Sequence, residues 1–179
     1  MDNASKKSSV HDVVRSALFV PGDRPERYQK ALTSGADRVI VDFEDAVEEA
    51  SKRGARNMLG EYLRAHPEAA VWVRVNSPGH HEHERDLGFC RDHDGVIGVM
   101  LPKAETKAQL LVAAATGKSV IPIIESASGA ANLADLCSAP GLERLCFGAI
   151  DMALDLGLKD GSAGALTVLE HLKVAIIVQ

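Results

Sequence analysis

Six short apolar runs, at residues 17–20, 38–42, 70–75, 96–101, 119–124 and 142–147, constrain this chain more than any other feature. Most are dense in Val, Ile, Leu and Ala, the composition of strands buried on both faces of a parallel sheet. The stretches between them are long enough for a helix each. Asp23 and Pro25 predict a helix start before 26–33. Residues 48–65 carry Ala55, Met58, Leu59 and Tyr62 at helical spacing, 106–115 opens on a capping Thr, and 127–138 follows the same logic. Repeated strand–helix units predict an α/β fold, either a doubly wound sheet or a barrel. The first strand runs into Val20-Pro21-Gly22-Asp23-Arg24-Pro25, which lacks the GxGxxG fingerprint, and no GxxxxGK[ST] loop occurs. That favours the barrel.

A barrel places its chemistry at the C-terminal ends of its strands. Here those ends lead in turn to Asp23 and Arg24; Asp42, Glu44 and Asp45; Arg74 and Asn76; Lys103 and Glu105; Glu125 and Ser126; and Asp151.

Composition narrows the class. The 179 residues are 46% hydrophobic and 25% charged, enough to build a sizeable core. A net charge of −5 and only 4% aromatic residues argue against nucleic acid as a partner. Cys90, Cys137 and Cys146 are odd in number and show no CxxC pair, which fits reduced thiols in a cytoplasmic protein. The polar start MDNASKKSSV has no apolar signal core, and no run is long enough to span a membrane. The expected organisation is a flexible N-terminal segment over 1–14 and a barrel domain over 15–179.

Glu125 and Asp151 are carboxylates at the ends of neighbouring buried runs. Adjacent strands lie roughly 5 Å apart, so the two can share one hard cation such as Mg²⁺. Taken singly, each acid reads better as a helix cap; two in register in successive units favour the metal. Arg74, inside Val71-Trp72-Val73-Arg74-Val75-Asn76, is costly unless paired. Its fork suits a substrate carboxylate or polarised carbonyl, or a buried ion pair with Glu44 or Asp45. The cluster Asp42-Phe43-Glu44-Asp45 either approaches a metal, directly or through its waters, or forms a solvated loop. Arg15 stands just before the first strand, either reaching an anionic group or lying exposed. Lys103 can form a Schiff base or contact a phosphate from the surface. The run His80-His81-Glu82-His83 has no zinc-type spacing and reads as a solvated loop leading into a helix. Ser126 and Ser128 have no GxSxG elbow around them.

The motifs carrying these residues, in order, are RSALFVPGDRPERYQKA at 15–31, VDFEDAV at 41–47, VRVNSPG at 73–79, MLPKAE at 100–105, IIESASG at 123–129 and FGAIDMALDLG at 147–157. Together they resemble the citrate lyase beta-subunit-like branch of the HpcH/HpaI aldolase family. The resemblance implies a TIM (β/α)₈ barrel, Mg²⁺ with Mn²⁺ as an alternative ion, and homotrimers or hexamers. It implies metal ligation by Glu125 and Asp151 with Glu44 and Asp45 behind them. It places Arg74 on the substrate oxygens and Arg15, Asn76 and Lys103 at the CoA or acid end. It implies a lyase that cleaves or forms a 3-hydroxyacyl-CoA such as citryl-, malyl- or citramalyl-CoA. Two rival expectations are an aldolase releasing pyruvate from free 2-oxo acids, with Lys103 as its Schiff-base form, and a non-catalytic paralogue or fragment acting as a binding subunit. Relatives of this kind often have Leu where Phe43 stands and Glu where Ile150 stands. A full barrel takes eight strands and typically about 250 residues. Six runs therefore predict a barrel cut short after about six units, with unpaired edges on its first and sixth strands.

Overall fold

In a computed structural model, residues 14–179 are described, so the segment expected at 1–14 lies outside them except for Val14. Six strands stand where the apolar runs fall: β1 (Ala17–Pro21), β2 (Arg38–Asp42), β3 (Val71–Arg74), β4 (Val96–Leu101), β5 (Ser119–Ile124) and β6 (Cys146–Phe147). They pair in parallel and in chain order, β1 through β6. A doubly wound sheet reverses its strand order partway, whereas a barrel keeps winding in one direction. Between the strands lie α1 (Tyr28–Leu32), α2 (Lys52–Ala65), α3 (His83–Asp92), α4 (Lys107–Ala114), α5 (Ala127–Ala131) and α6 (Leu133–Cys137), and after β6 come α7 (Ala149–Asp155) and α8 (Ala163–Ile177).

The sheet is curled. Laid flat, β1 and β6 would be roughly 24 Å apart at the usual strand spacing. Instead, at the N-terminal ends of the strands, Arg38 of β2 forms an ion pair with Glu143, just before β6. Arg144 donates to the Val14 carbonyl, just before β1, at 3.3 Å. The result is an α/β fold in which six parallel strands curl into part of a barrel.

Alternation along the strands sorts their side chains into two layers. Val39, Val41, Val71, Val73, Val99, Leu101, Val120 and Ile124 face outward into a core completed by Ala55, Leu59, Leu63, Leu87, Cys90, Leu110 and Leu136 of the helices. Ile40, Trp72, Met100, Ile121 and Ile123 face inward and pack together, with Cys146 against them. The Trp72 indole lies where a side chain at position 98 would sit, which is why β4 carries Gly98 there. Two residues beyond Ile40, Trp72 and Ile123, the same inner face receives Asp42, Arg74 and Glu125. The alternation that buries the inner layer thus delivers the polar groups to its upper end.

Thr106 caps α4 in a capping box with Gln109, as expected. Three elements differ from expectation. The helix expected over 26–33 opens as a 3-10 turn, Pro25–Arg27, before α1. The helix expected over 127–138 is broken at Asn132, whose side-chain amide donates to the Glu105 carbonyl at 2.9 Å. The sixth run reaches β5 only through a Leu142–Val120 bridge before β6 proper. Glu143 and Arg144, between them, are drawn to Arg38 and Val14. Among the described residues β1 and β6 each pair on one side only, and no helix is long and apolar enough to cross a membrane.

Candidate functional site at the C-terminal strand ends

Arg74 ends β3 in register with Asp42, which ends β2. The pair meets in the two-pronged geometry that suits guanidinium and carboxylate. Arg74 Nε donates to Asp42 Oδ1 at 2.8 Å and Nη2 to Oδ2 at 2.6 Å. Asp42 also accepts the backbone N–H groups of Glu44 at 2.9 Å and Ala46 at 3.1 Å. With both oxygens so occupied, Asp42 orients Arg74 and shapes the following loop rather than offering a free ligand. Arg74 Nη1 lies 3.2 Å from Glu44 Oε2 and 3.4 Å from Asp45 Oδ2. The Phe19 ring of β1 sits 5.2 Å from the guanidinium carbon. Burial opposes the charge on Arg74, but the Asp42 hydrogen bonds and the surrounding carboxylates outweigh it and hold the group firmly protonated.

Glu44 is buried at 8% exposure. Burial pushes its pKa up to about 7; the Asp45, Glu125 and Asp42 charges add to that shift, and Arg74 opposes it. Glu125, 5% exposed at the end of β5, is likewise raised by burial and by the neighbouring charge of Asp151. The Lys103 N–H, donating to Glu125 Oε1 at 2.8 Å, pulls the other way. That amide is aimed by a left-handed backbone at Lys103, φ 49°, the single non-glycine of this kind among the described residues. Such a conformation costs an L-residue about 1–2 kcal/mol. The Lys103 side chain is exposed. On the other side of Glu125 the chain passes so closely at Gly148 that a Cβ there would lie 2.5 Å from Oε2. Three residues on, Asp151 stands in the first turn of α7. Acids at the ends of β2 and β5 therefore lie near one guanidinium, with Asp151 of α7 close to Glu125, an all-oxygen donor set with surplus negative charge. Glu125 and Asp151 fit a hard divalent cation.

Two residues expected at this site are not brought to it. Asn76 is buried at 1% exposure. Its backbone N–H at 2.9 Å and side-chain amide at 2.6 Å both donate to Asp86 Oδ2, whose other oxygen takes Arg56 at 2.6 Å. Arg15 precedes β1, at the opposite end of the parallel strands, where its N–H donates to Asp37 at 2.8 Å. Ser126 caps α5 and donates to Glu105 at 2.7 Å. The histidine run is only partly solvated: His83 opens α3, buried, with Nδ1 at 2.7 Å from the Asn76 carbonyl. Phe43 points into the helical layer, edge-on to Phe89 at 5.6 Å, and Ile150 is 78% exposed on α7.

A parallel sheet curled in chain order, with an arginine and several acids on its C-terminal end, defines a β/α-barrel domain with an acidic face at its C-terminal strand ends. The family model described as HpcH/HpaI aldolase/citrate lyase matches residues 15–175, and the chain belongs to that family. It is 41% identical over 140 residues to a citrate lyase subunit beta-like protein of Mycobacterium tuberculosis, covering 78% of this chain and 49% of that protein. It is 30% identical over 148 residues to a (3S)-malyl-CoA thioesterase of Cereibacter sphaeroides, covering 80% and 51%. Among solved structures it resembles M. tuberculosis CitE in complex with magnesium, acetoacetate and coenzyme A. The TM-score is 0.79 at 37% identity, with 90% of this chain and 60% of that one covered. The citrate lyase beta subunit of the same organism, complexed with oxaloacetate and magnesium, gives a TM-score of 0.77 at 34% identity, covering 90% and 71%. The chain spans about half the length of the M. tuberculosis and C. sphaeroides relatives it matches in sequence.

Proposed function

We propose that this chain carries the metal- and substrate-binding face of a Mg²⁺-dependent carbon–carbon lyase acting on a 3-hydroxyacyl-CoA ester. The carrying observation is the surplus of carboxylates: Glu44, Asp45 and Glu125 lie near the single guanidinium of Arg74, and Asp151 lies near Glu125. Glu125 and Asp151 are the ligands in this reading, with Glu44 and Asp45 bonding the ion's waters. Relatives that are a malyl-CoA/β-methylmalyl-CoA lyase and a malyl-CoA thioesterase support the substrate class. The CitE complexes with magnesium support the ion.

Cleavage breaks the bond between a hydroxyl-bearing carbon and the carbon alpha to a thioester. A general base takes the hydroxyl proton, the hydroxyl oxygen becomes a carbonyl, and the electron pair of the broken bond passes to the thioester oxygen as an enolate. A bound Mg²⁺ supplies Lewis acidity at the substrate oxygens. Arg74, already fixed by Asp42, presents positive charge to a substrate oxygen without reorganising. Lys103 holds Glu125 in place through its backbone amide. Its exposed ammonium is free to meet an anionic part of the substrate.

Calorimetric Mg²⁺ titration with a parallel turnover assay on citryl-, malyl- and citramalyl-CoA tests the reading. Glu125→Gln and Asp151→Asn should each abolish Mg²⁺ binding and turnover. Arg74→Met should keep Mg²⁺ binding while lowering turnover by about 10²–10³-fold, the loss typical of a fixed charge stabiliser. Normal turnover in either acid variant would rule out the ligand assignment. Following keto-acid release separately from free thiol distinguishes cleavage from thioester hydrolysis. Light scattering reads the trimer or hexamer that belongs to the same proposal.

A further inference from the structure

We propose that Glu49, His80 and His81 form a second metal site, for a borderline d-block divalent ion such as Zn²⁺, built from residues other than those of the hard-ion site. The three come from two loops on the C-terminal side of the sheet. Glu49 lies between β2 and α2, and the histidines lie between β3 and α3. Their ligand atoms all fall within 4.8 Å of one another. Glu49 spans both rings: Oε2 is 3.2 Å from His80 Nε2 and Oε1 is 2.9 Å from His81 Nε2. Ligand atoms around a tetrahedral ion with bonds of about 2.0–2.2 Å stand roughly 3.2–3.6 Å apart. The two contacts to Glu49 already lie near that range, and the exposed His81 and half-buried His80 rings must turn apart from their stack for both Nε2 lone pairs to converge on one ion. The two imidazoles are stacked, centroids 4.5 Å apart and planes 25° apart, so both present their Nε2 edges to the same carboxylate. Glu82 Oε1, 3.7 Å from His81 Nε2, offers a further oxygen and is itself anchored by Arg56 and Arg85.

Two imidazoles with one carboxylate favour Zn²⁺, Ni²⁺ or Cu²⁺ over Mg²⁺. Without an ion, the Glu82 N–H donates to His80 Nδ1 at 3.2 Å, so Nε2 carries the proton that faces Glu49. An ion takes the place of that proton. His80 then protonates at Nδ1 and releases the Glu82 amide, a contact at the long end of the normal range. Occupancy ties the loop that carries Glu44 and Asp45 to the loop that follows Arg74.

The test is Zn²⁺ calorimetry on chelator-treated protein in saturating Mg²⁺, which keeps the hard-ion site filled. One Zn²⁺ should bind per chain and raise the melting temperature. Co²⁺ in its place should give the intense visible absorption of a tetrahedral site. His80→Ala/His81→Ala and Glu49→Gln should each weaken binding by about tenfold or more, and Glu49→Gln, at an exposed residue, should leave the metal-free melting temperature unchanged. Glu125→Gln should bind Zn²⁺ as the parent does, which separates this site from the proposed catalytic one. Absence of Zn²⁺ binding in the parent, or equal affinity in the double-histidine variant, overturns the assignment.

Discussion

The molecule holds two buried arginine–carboxylate networks, and they differ in charge balance. Between α2 and α3, Arg56 bonds Asp86 and Glu82 while Arg85 pairs with Glu82, so two guanidiniums answer two carboxylates. Asp86, fully buried, spends its remaining capacity on the backbone and side chain of Asn76. Every charge there is matched. At the strand ends, Arg74 alone faces Asp42, Glu44 and Asp45, with Glu125 and Asp151 nearby. The carboxyls of Glu44 and Glu125 resist ionisation, first because they are buried and further because of the negative charges beside them. A matched network needs no further charge, whereas the unmatched one is what the proposed cation would balance.

The sharpest way to break this contrast is Arg56→Met. It strands the buried Asp86 charge and should cost about 3–5 kcal/mol, read by urea unfolding; a cost below 1 kcal/mol would mean the matched network is not structural. The opposite sign is expected at the other site. In metal-free buffer Glu125→Gln removes one of several crowded negative charges and should raise the unfolding midpoint, and Mg²⁺ should stabilise the parent but not the variant.

The third expectation concerns pH. The folded pKa of Glu44, about 7, lies above its unfolded value of 4.5. Between those values the folded chain binds more protons than the unfolded one, so metal-free stability falls as pH rises across that window. Glu44→Gln should flatten the slope. The smallest effect belongs to neither network: Thr106→Ala deletes the α4 cap and should cost about 1 kcal/mol, measurable as a modest drop in melting temperature.

Strand positions were legible because burial on both faces leaves continuous apolar runs, and β2, β4 and β5 fall within the residues those runs mark. The sixth run misled because Leu142 and Leu145 are apolar while Glu143 and Arg144 between them make contacts across the curl. Glu125, Asp151 and Arg74 were visible as polar residues ending apolar runs. The principal partner of Arg74 was not: Glu44 or Asp45 was expected, and Asp42 takes the two-pronged position. The signal existed, since Asp42 and Arg74 each close their strand, but it required the register between β2 and β3. The position of Arg15 was available from chain direction alone, because whatever precedes a parallel strand lies at the end away from the site. The commitment of Asn76 to Asp86 and the meeting of Glu49 with His80 and His81 join segments that local pattern does not link.

Lys103 looks from outside like an ordinary charged surface residue, yet its main chain is bent the unusual way to hold Glu125 steady. The main chain sets the direction of the carboxylate, while the ammonium adds only a charge at a distance. Whatever the ammonium does in solvent, by pairing, modification or simple wandering, leaves the carboxylate's aim untouched. A bulky β-branched replacement would disturb that aim and would also remove the ammonium charge that favours ionised Glu125.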